Sequence, residues 1–162
     1  MNEKVVITEI ILVKPIRPIN FITTKWLVYI MIALFSLFIG LLLNWYYSSL
    51  LFNAFPFHIF LIVFLFYSVW YIFIVTLVIF YNTFVKTPGL VVASTIATLF
   101  IMAGINMAIG HRFTWFPNQL TNHINTFTQT EEISSAFIGT TVIISIVSLL
   151  LLFVSVLLFN RK

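Results

Sequence analysis

Four long apolar stretches without a single Lys, Arg, Asp or Glu constrain this chain more than any other feature. They cover approximately residues 26–47, 57–81, 89–109 and 133–159. About 20 residues of helix cross the ~30 Å hydrocarbon layer of a bilayer, and each stretch reaches that length. A backbone in lipid must satisfy its own hydrogen bonds, and these stretches lack the alternation of barrel strands. The sequence therefore predicts an all-α integral membrane protein with four transmembrane helices.

The overall composition agrees with lipid as the solvent of this chain. Charged residues make up 7% and hydrophobic residues 62%, whereas a soluble domain carries about 25% charged residues. The net charge of +4 lies in segments that flank the apolar stretches, where anionic lipid attracts it. We therefore expect one membrane domain over residues 1–162, with the lipid bilayer and not nucleic acid as a partner.

The basic residues predict how the chain is oriented. Seven of the eight would share one side of the membrane, and Arg112 alone would lie on the other. Because basic loops stay in the cytoplasm, we expect a cell-membrane protein with both termini and the 82–88 loop cytoplasmic. The 44–56 and 110–132 connections would face outward, with the lowest order at 117–130. The seven are Lys4, Lys14, Arg17, Lys25, Lys86, Arg161 and Lys162.

The spans lack the groups on which several classes of membrane protein depend. Ion-driven carriers usually hold carboxylates or basic groups within their spans, but this chain has no Asp and its four Glu lie outside them. It has no Gly-rich phosphate loop with a Lys-Ser/Thr ending. His111 and His123 share the 110–132 loop without a Cys or Asp to complete a metal site. We therefore expect no metal, no cofactor and no enzymatic activity.

The third span differs from the others in its small side chains. These form two pairs spaced four residues apart, and such pairs let helices approach closely. We predict that this span is the most buried in protein, and that its one Asn bonds to a neighbouring helix or to water. Nine aromatic residues between 60 and 81 instead indicate lipid contact for the second span. The residues expected to pack are Ala93, Ala97, Gly104, Ala108 and Asn106.

Residues 1–25 are predicted to form a cytoplasmic segment that contains an interfacial helix. The stretch from Lys4 to Lys14 is apolar with polar breaks, and Pro15 and Pro18 end it. This segment resembles the cytoplasmic coupling segment of permeases in the second class of ABC exporters. The resemblance rests on Glu3-Lys4, Thr8-Glu9-Ile10-Ile11-Leu12, Lys14-Pro15-Ile16-Arg17-Pro18, Phe21 and Lys25-Trp26, which run together just before a span.

The resemblance implies that this segment docks into a groove on a separate ABC ATPase subunit. Permeases of this family have six spans, and the four found here would correspond to spans three to six. Lys86-Thr87-Pro88-Gly89 would be the inner turn, and residues 110–132 the outer segment. The family's first two spans do not occur in this sequence, so a second membrane subunit or a homodimer is expected. The residues that would contact the ATPase are Glu3, Glu9, Lys14, Pro15 and Arg17.

Two functions follow from these features. By resemblance, the chain is the membrane component of an ATP-driven exporter, either as a full subunit or as a partial or split permease. The lack of polar residues along the spans favours an alternative, a non-transporting four-helix membrane protein such as an assembly factor, immunity protein or sensor partner. The sequence leaves both open and does not identify a substrate.

Overall fold

The computed structural model describes residues 18–52, 56–110 and 112–160, and within these ranges the chain contains five α-helices and no strand. Four of the helices are long and apolar enough to cross a membrane. The chain is therefore an all-α multi-pass membrane protein, as predicted. The proposed interfacial helix and ATPase-contacting residues lie outside the described ranges. The helices are α1 (Pro18–Phe52), α2 (Phe57–Phe84), α3 (Pro88–Ile109), α4 (Gln119–Thr130) and α5 (Ser135–Asn160).

Helix α1 is longer than the predicted first span at both ends. Its described part begins at Pro18, within the predicted cytoplasmic segment 1–25. It continues to Phe52, so helical backbone extends past residue 47 into the predicted outer connection 44–56. The apolar segment Ile22–Leu51 is about 45 Å long at 1.5 Å per residue. Because the hydrocarbon layer is only ~30 Å thick, this helix must tilt or project beyond it.

Helix α2 is the centre of the bundle, since it packs against each of the other four helices. The prediction that its aromatic side chains face lipid is wrong for those in the core: Phe60 and Phe73 are 3% and 2% exposed. Phe66 packs against Phe137 of α5, with ring centroids 3.9 Å apart. Large rings fill the space between helices and gain from edge and offset contacts.

Helix α3 lies at the edge of the bundle and packs mainly on α2. The prediction that this span is the most buried is wrong within a single chain, because α2 is more buried. Ala93, Ala97, Gly104 and Ala108 are exposed, and apart from nearby residues of α3 itself no described atom lies within 4 Å of a Cβ at Gly104. The physical reason is that no helix in the described part of the chain lies opposite the small-residue face.

Side-chain contacts fix the directions of the first three helices. Trp26 Nε1 donates a 2.9 Å hydrogen bond to Thr76 Oγ1, and the Trp45 ring lies 5.2 Å from that of Phe57, so α1 and α2 are antiparallel. The Tyr81 and Thr98 hydroxyls, 2.5 Å apart, connect α2 to α3. This topology places Lys25 and Lys86 at one end of the bundle and Arg112, with α4, at the other.

Candidate functional site

The end of the bundle opposite Lys25 and Lys86 is covered by α4, which the sequence did not predict. Residues 117–130 were expected to be the least ordered, but 119–130 form an amphipathic helix. Leu120, Ile124 and Phe127 recur at the spacing of one helical face and are almost fully buried in the core. Burial of this face against α2 and α5 supplies the stabilisation that a Thr-, Asn- and Gln-rich segment lacks by itself.

Polar contacts hold the segment before α4 in place. The carbonyl oxygen of Thr114 accepts hydrogen bonds from His123 Nε2 at 3.1 Å and from Thr140 Oγ1 at 3.3 Å. Gln119 Nε2 donates to the carbonyl oxygen of Gly110 at 3.4 Å. The loop after α3 is therefore tied to both α4 and α5, and His123 has a structural contact.

Residues of α1, α2 and α4 together line a groove. It encloses about 350 Å³. A smaller hollow of about 100 Å³ shares four of its lining residues and extends it along α1 past Trp45 and Ser48. We call this continuous depression the α1/α4 groove. Its main part is lined by Leu37, Leu41, Asn44, Val63, Tyr67, Tyr71, Ile124, Asn125 and Thr128.

Four polar side chains in the α1/α4 groove differ from the hydroxyls elsewhere in the spans. Ser and Thr side chains such as Ser68 and Ser148 donate to a carbonyl of their own helix, at 2.6 and 2.8 Å. By contrast, the side chains of Asn44, Tyr67, Tyr71 and Asn125 have no hydrogen-bond partner among the described residues. These groups are free to bond to water or to a bound molecule.

The α1/α4 groove is uncharged and extends far along α2 from the α4 end of the bundle. None of its lining residues is Lys, Arg, Asp, Glu or His. Tyr67 and Tyr71 lie on α2, about 15 and 21 Å from Phe57 at 1.5 Å per residue. The groove therefore offers hydrogen-bonding groups at the depth of hydrocarbon, where an unpaired polar group is costly.

The residues predicted from the sequence lie elsewhere. Ala93, Ala97, Gly104 and Ala108 are on α3, which does not line the α1/α4 groove. Asn106 Oδ1, on the same helix, is buried without a hydrogen-bond partner in the described part of the chain, so the expected bond to a neighbouring helix is not made there. No cluster of three potential metal ligands occurs among the described residues.

Sequence reasoning missed the α1/α4 groove because its polar residues come from three separate helices. The available signal was weak: Asn44 is the one Asn in the first span, and Tyr67 and Tyr71 are one helical turn apart in the second. Their convergence depends on the position of α4, which was itself not predicted.

No known protein family, curated protein or solved structure matches this chain. The similarity to ABC exporter permeases therefore stays a prediction from the sequence. The four long apolar helices identify the chain only as a multi-pass membrane protein.

Proposed function

We propose that this chain is a membrane-spanning component of an ATP-driven exporter, which couples a separate ATPase subunit to movement of a substrate. The observation that carries the proposal is the coupling-like segment before α1, with Glu9, Lys14 and Arg17 among its polar residues. The basic residues Lys25 and Lys86 share one end of the bundle, which fits a cytoplasmic location for that segment.

The position of α1 suggests how coupling would reach the substrate path. The segment would be pushed when the ATPase closes on ATP, and α1 includes its last residues, from Pro18 to Lys25. This single helix also supplies Leu37, Leu41 and Asn44 to the α1/α4 groove. A rigid-body shift of α1 would therefore widen or narrow the groove at the far end of the bundle.

The open face of α3 supports the expected second membrane subunit or second copy of this chain. Ala93, Ala97, Gly104 and Ala108 are exposed in the single chain. Small residues at this spacing permit close helix approach in lipid, so a partner helix would find a complementary surface here.

Charge reversal at Glu9 tests the coupling role. We expect Glu9→Lys to reduce co-purification of an ATPase subunit about tenfold or more, since a charge-assisted hydrogen bond contributes roughly 1.5–3 kcal/mol. Substrate export should fall in parallel, with helix content and thermal transition unchanged. The matched control is Glu131→Lys, at the α4 end of the bundle, which should retain the ATPase. Equal recovery of the ATPase with both variants would contradict the proposal.

The alternative is a non-transporting four-helix membrane protein. It is favoured by the absence of charged residues from the four apolar spans, since carriers commonly need such groups. Failure of the unaltered chain to recover any ATPase from native membranes would support this alternative over the exporter.

A further inference from the structure

We propose that the α1/α4 groove binds one uncharged amphiphile, a lipid with a hydroxyl-bearing headgroup such as a diacylglycerol, from the leaflet at the α4 end. The idea that the bound lipid is the exported cargo rests on the proposed export function. The idea that the groove binds this lipid does not. The assignment follows from the shape, the polarity and the charge of the groove.

The lining of the α1/α4 groove matches a molecule with two chemical parts. Leu37, Leu41 and Val63 form apolar walls against which an acyl chain can pack. Tyr67 and Tyr71 line the same space, and each carries a hydroxyl able to donate and accept a hydrogen bond. A purely apolar chain would leave these hydroxyls unpaired, whereas a hydroxyl-bearing headgroup would satisfy them.

Amide groups complete the polar lining. Asn44 on α1 and Asn125 on α4 stand at the walls of the groove and have no hydrogen-bond partner among the described residues. Each amide offers two donors and an acceptor. Residues with hydrogen-bonding side chains from three helices therefore line one groove, as is typical of sites that fix the orientation of a small molecule.

The charge of the α1/α4 groove selects against phospholipids. None of its lining residues is basic, so a phosphate bound there would have no cation to pair with. An unpaired ion in an apolar surrounding costs far more free energy than a hydroxyl. The groove therefore favours an uncharged headgroup over phosphatidylglycerol or a similar anionic lipid.

The size of the α1/α4 groove limits what fits inside it. Its volume of about 350 Å³ is near the lower end of the range of about 300–1,000 Å³ for ligand pockets. It therefore holds a headgroup and the upper part of one chain. Tyr71 and Asn44 are exposed along its length, so the rest of the lipid can remain in the bilayer.

Photo-crosslinking of the purified chain in nanodiscs tests this binding. We would use a diacylglycerol with a photoactivatable group near the headgroup and the corresponding phosphatidylglycerol, and locate the adducts by mass spectrometry. The expected result is diacylglycerol adducts within 37–45, 63–71 and 124–128, at least several-fold above those of phosphatidylglycerol. Unlabelled diacylglycerol should compete for them.

Substitutions that remove only a hydroxyl test the recognition. The double variant Tyr67→Phe/Tyr71→Phe should reduce adducts in the groove about fivefold or more, since one hydrogen bond changes affinity by roughly that factor. Tyr29→Phe, on an exposed part of α1 away from the groove, should leave them unchanged. Leu41→Trp, which fills the groove and keeps every hydrogen-bonding group, should also reduce them.

Equal labelling by both lipids, adducts spread over all lipid-exposed helices, or full labelling of the double Tyr variant would overturn the proposal. The assay contains no ATPase. A failure of ATPase recovery in the Glu9 experiment therefore leaves the lipid result intact, and loss of lipid labelling leaves the coupling result intact.

Discussion

Glu131, which ends α4, has a left-handed backbone conformation with φ 57° and ψ 12°. Its N–H donates to the carbonyl oxygen of Phe127, which closes the helix. Glycine is the usual residue at such a position because a Cβ atom makes the conformation unfavourable. We predict that Glu131→Gly raises the free energy of unfolding by up to about 1 kcal/mol, measured as a higher thermal transition in detergent.

Glu132→Gly is the matched control for this change. Glu132 is exposed and carries the same charge, but Glu131 is the one non-glycine residue with positive φ in the described chain. Removing the Glu132 side chain gives only the flexibility of glycine, so we expect no stabilisation. If Glu131→Gly and Glu132→Gly raise the thermal transition equally, the left-handed conformation of Glu131 is not the cause of the stabilisation.

At the residue scale, the chemistry of a polar side chain decides whether it is available for binding. Hydroxyls of Ser148 and Thr95 reach a carbonyl one turn back on their own helix, which satisfies them without any partner. The longer Tyr67 and Tyr71, which line the α1/α4 groove, have no such bond to their own helix. From the sequence, the aromatic residues of the second span were predicted to face lipid. The sequence did not show that two of them, Tyr67 and Tyr71, line a groove with hydroxyls that are unpaired among the described residues.

At the scale of helices, α4 depends on burial of one face. Leu120 is 0% exposed and belongs to the core cluster shared with α2 and α5. We predict that Leu120→Ala lowers the free energy of local unfolding by about 2–4 kcal/mol, because a cavity replaces the side chain. Amide hydrogen exchange across residues 119–130 should become faster, by a larger factor than in the apolar spans.

Gln129→Ala is the control on the opposite face of α4. Gln129 is exposed, and an exposed substitution of this kind changes stability by less than about 0.5 kcal/mol. Exchange across α4 should remain close to that of the unaltered chain. Equal acceleration by Leu120→Ala and Gln129→Ala would mean that burial does not hold this helix.

The elements differ in how far the sequence predicts them. The four spans were predictable because long charge-free stretches have one stable backbone arrangement in lipid. Helix α4 was not, because its four Thr and two Asn residues have low helix propensity when taken alone. The spacing of Leu120, Ile124 and Phe127 was the available signal. Trp45, Tyr46 and Tyr47 indicated a membrane boundary near residue 47, and they did not reveal that helical backbone continues to Phe52.

At the scale of the whole molecule, the single chain leaves one helix with few neighbours. Helix α3 packs mainly on α2, and its small residues face outward. The isolated bundle thus gives no reason for Gly104 and Ala108 at positions where larger apolar residues would contact lipid equally well. A partner helix would supply that reason, since close approach in lipid depends on small residues.

Substitution of Gly104 tests whether this face binds another membrane subunit. Apart from nearby residues of the same helix, no atom of the described chain lies within 4 Å of a Cβ at Gly104 or at Gly40 on α1. Both Gly104→Leu and Gly40→Leu should therefore leave the single bundle folded. We predict that only Gly104→Leu weakens association, by tenfold or more, because Leu prevents close helix approach. Energy transfer between labelled copies in nanodiscs measures self-association, and co-purification measures binding of a different membrane subunit. Unchanged association in both assays would mean that the face contacts lipid, and its small residues would then have no role in assembly.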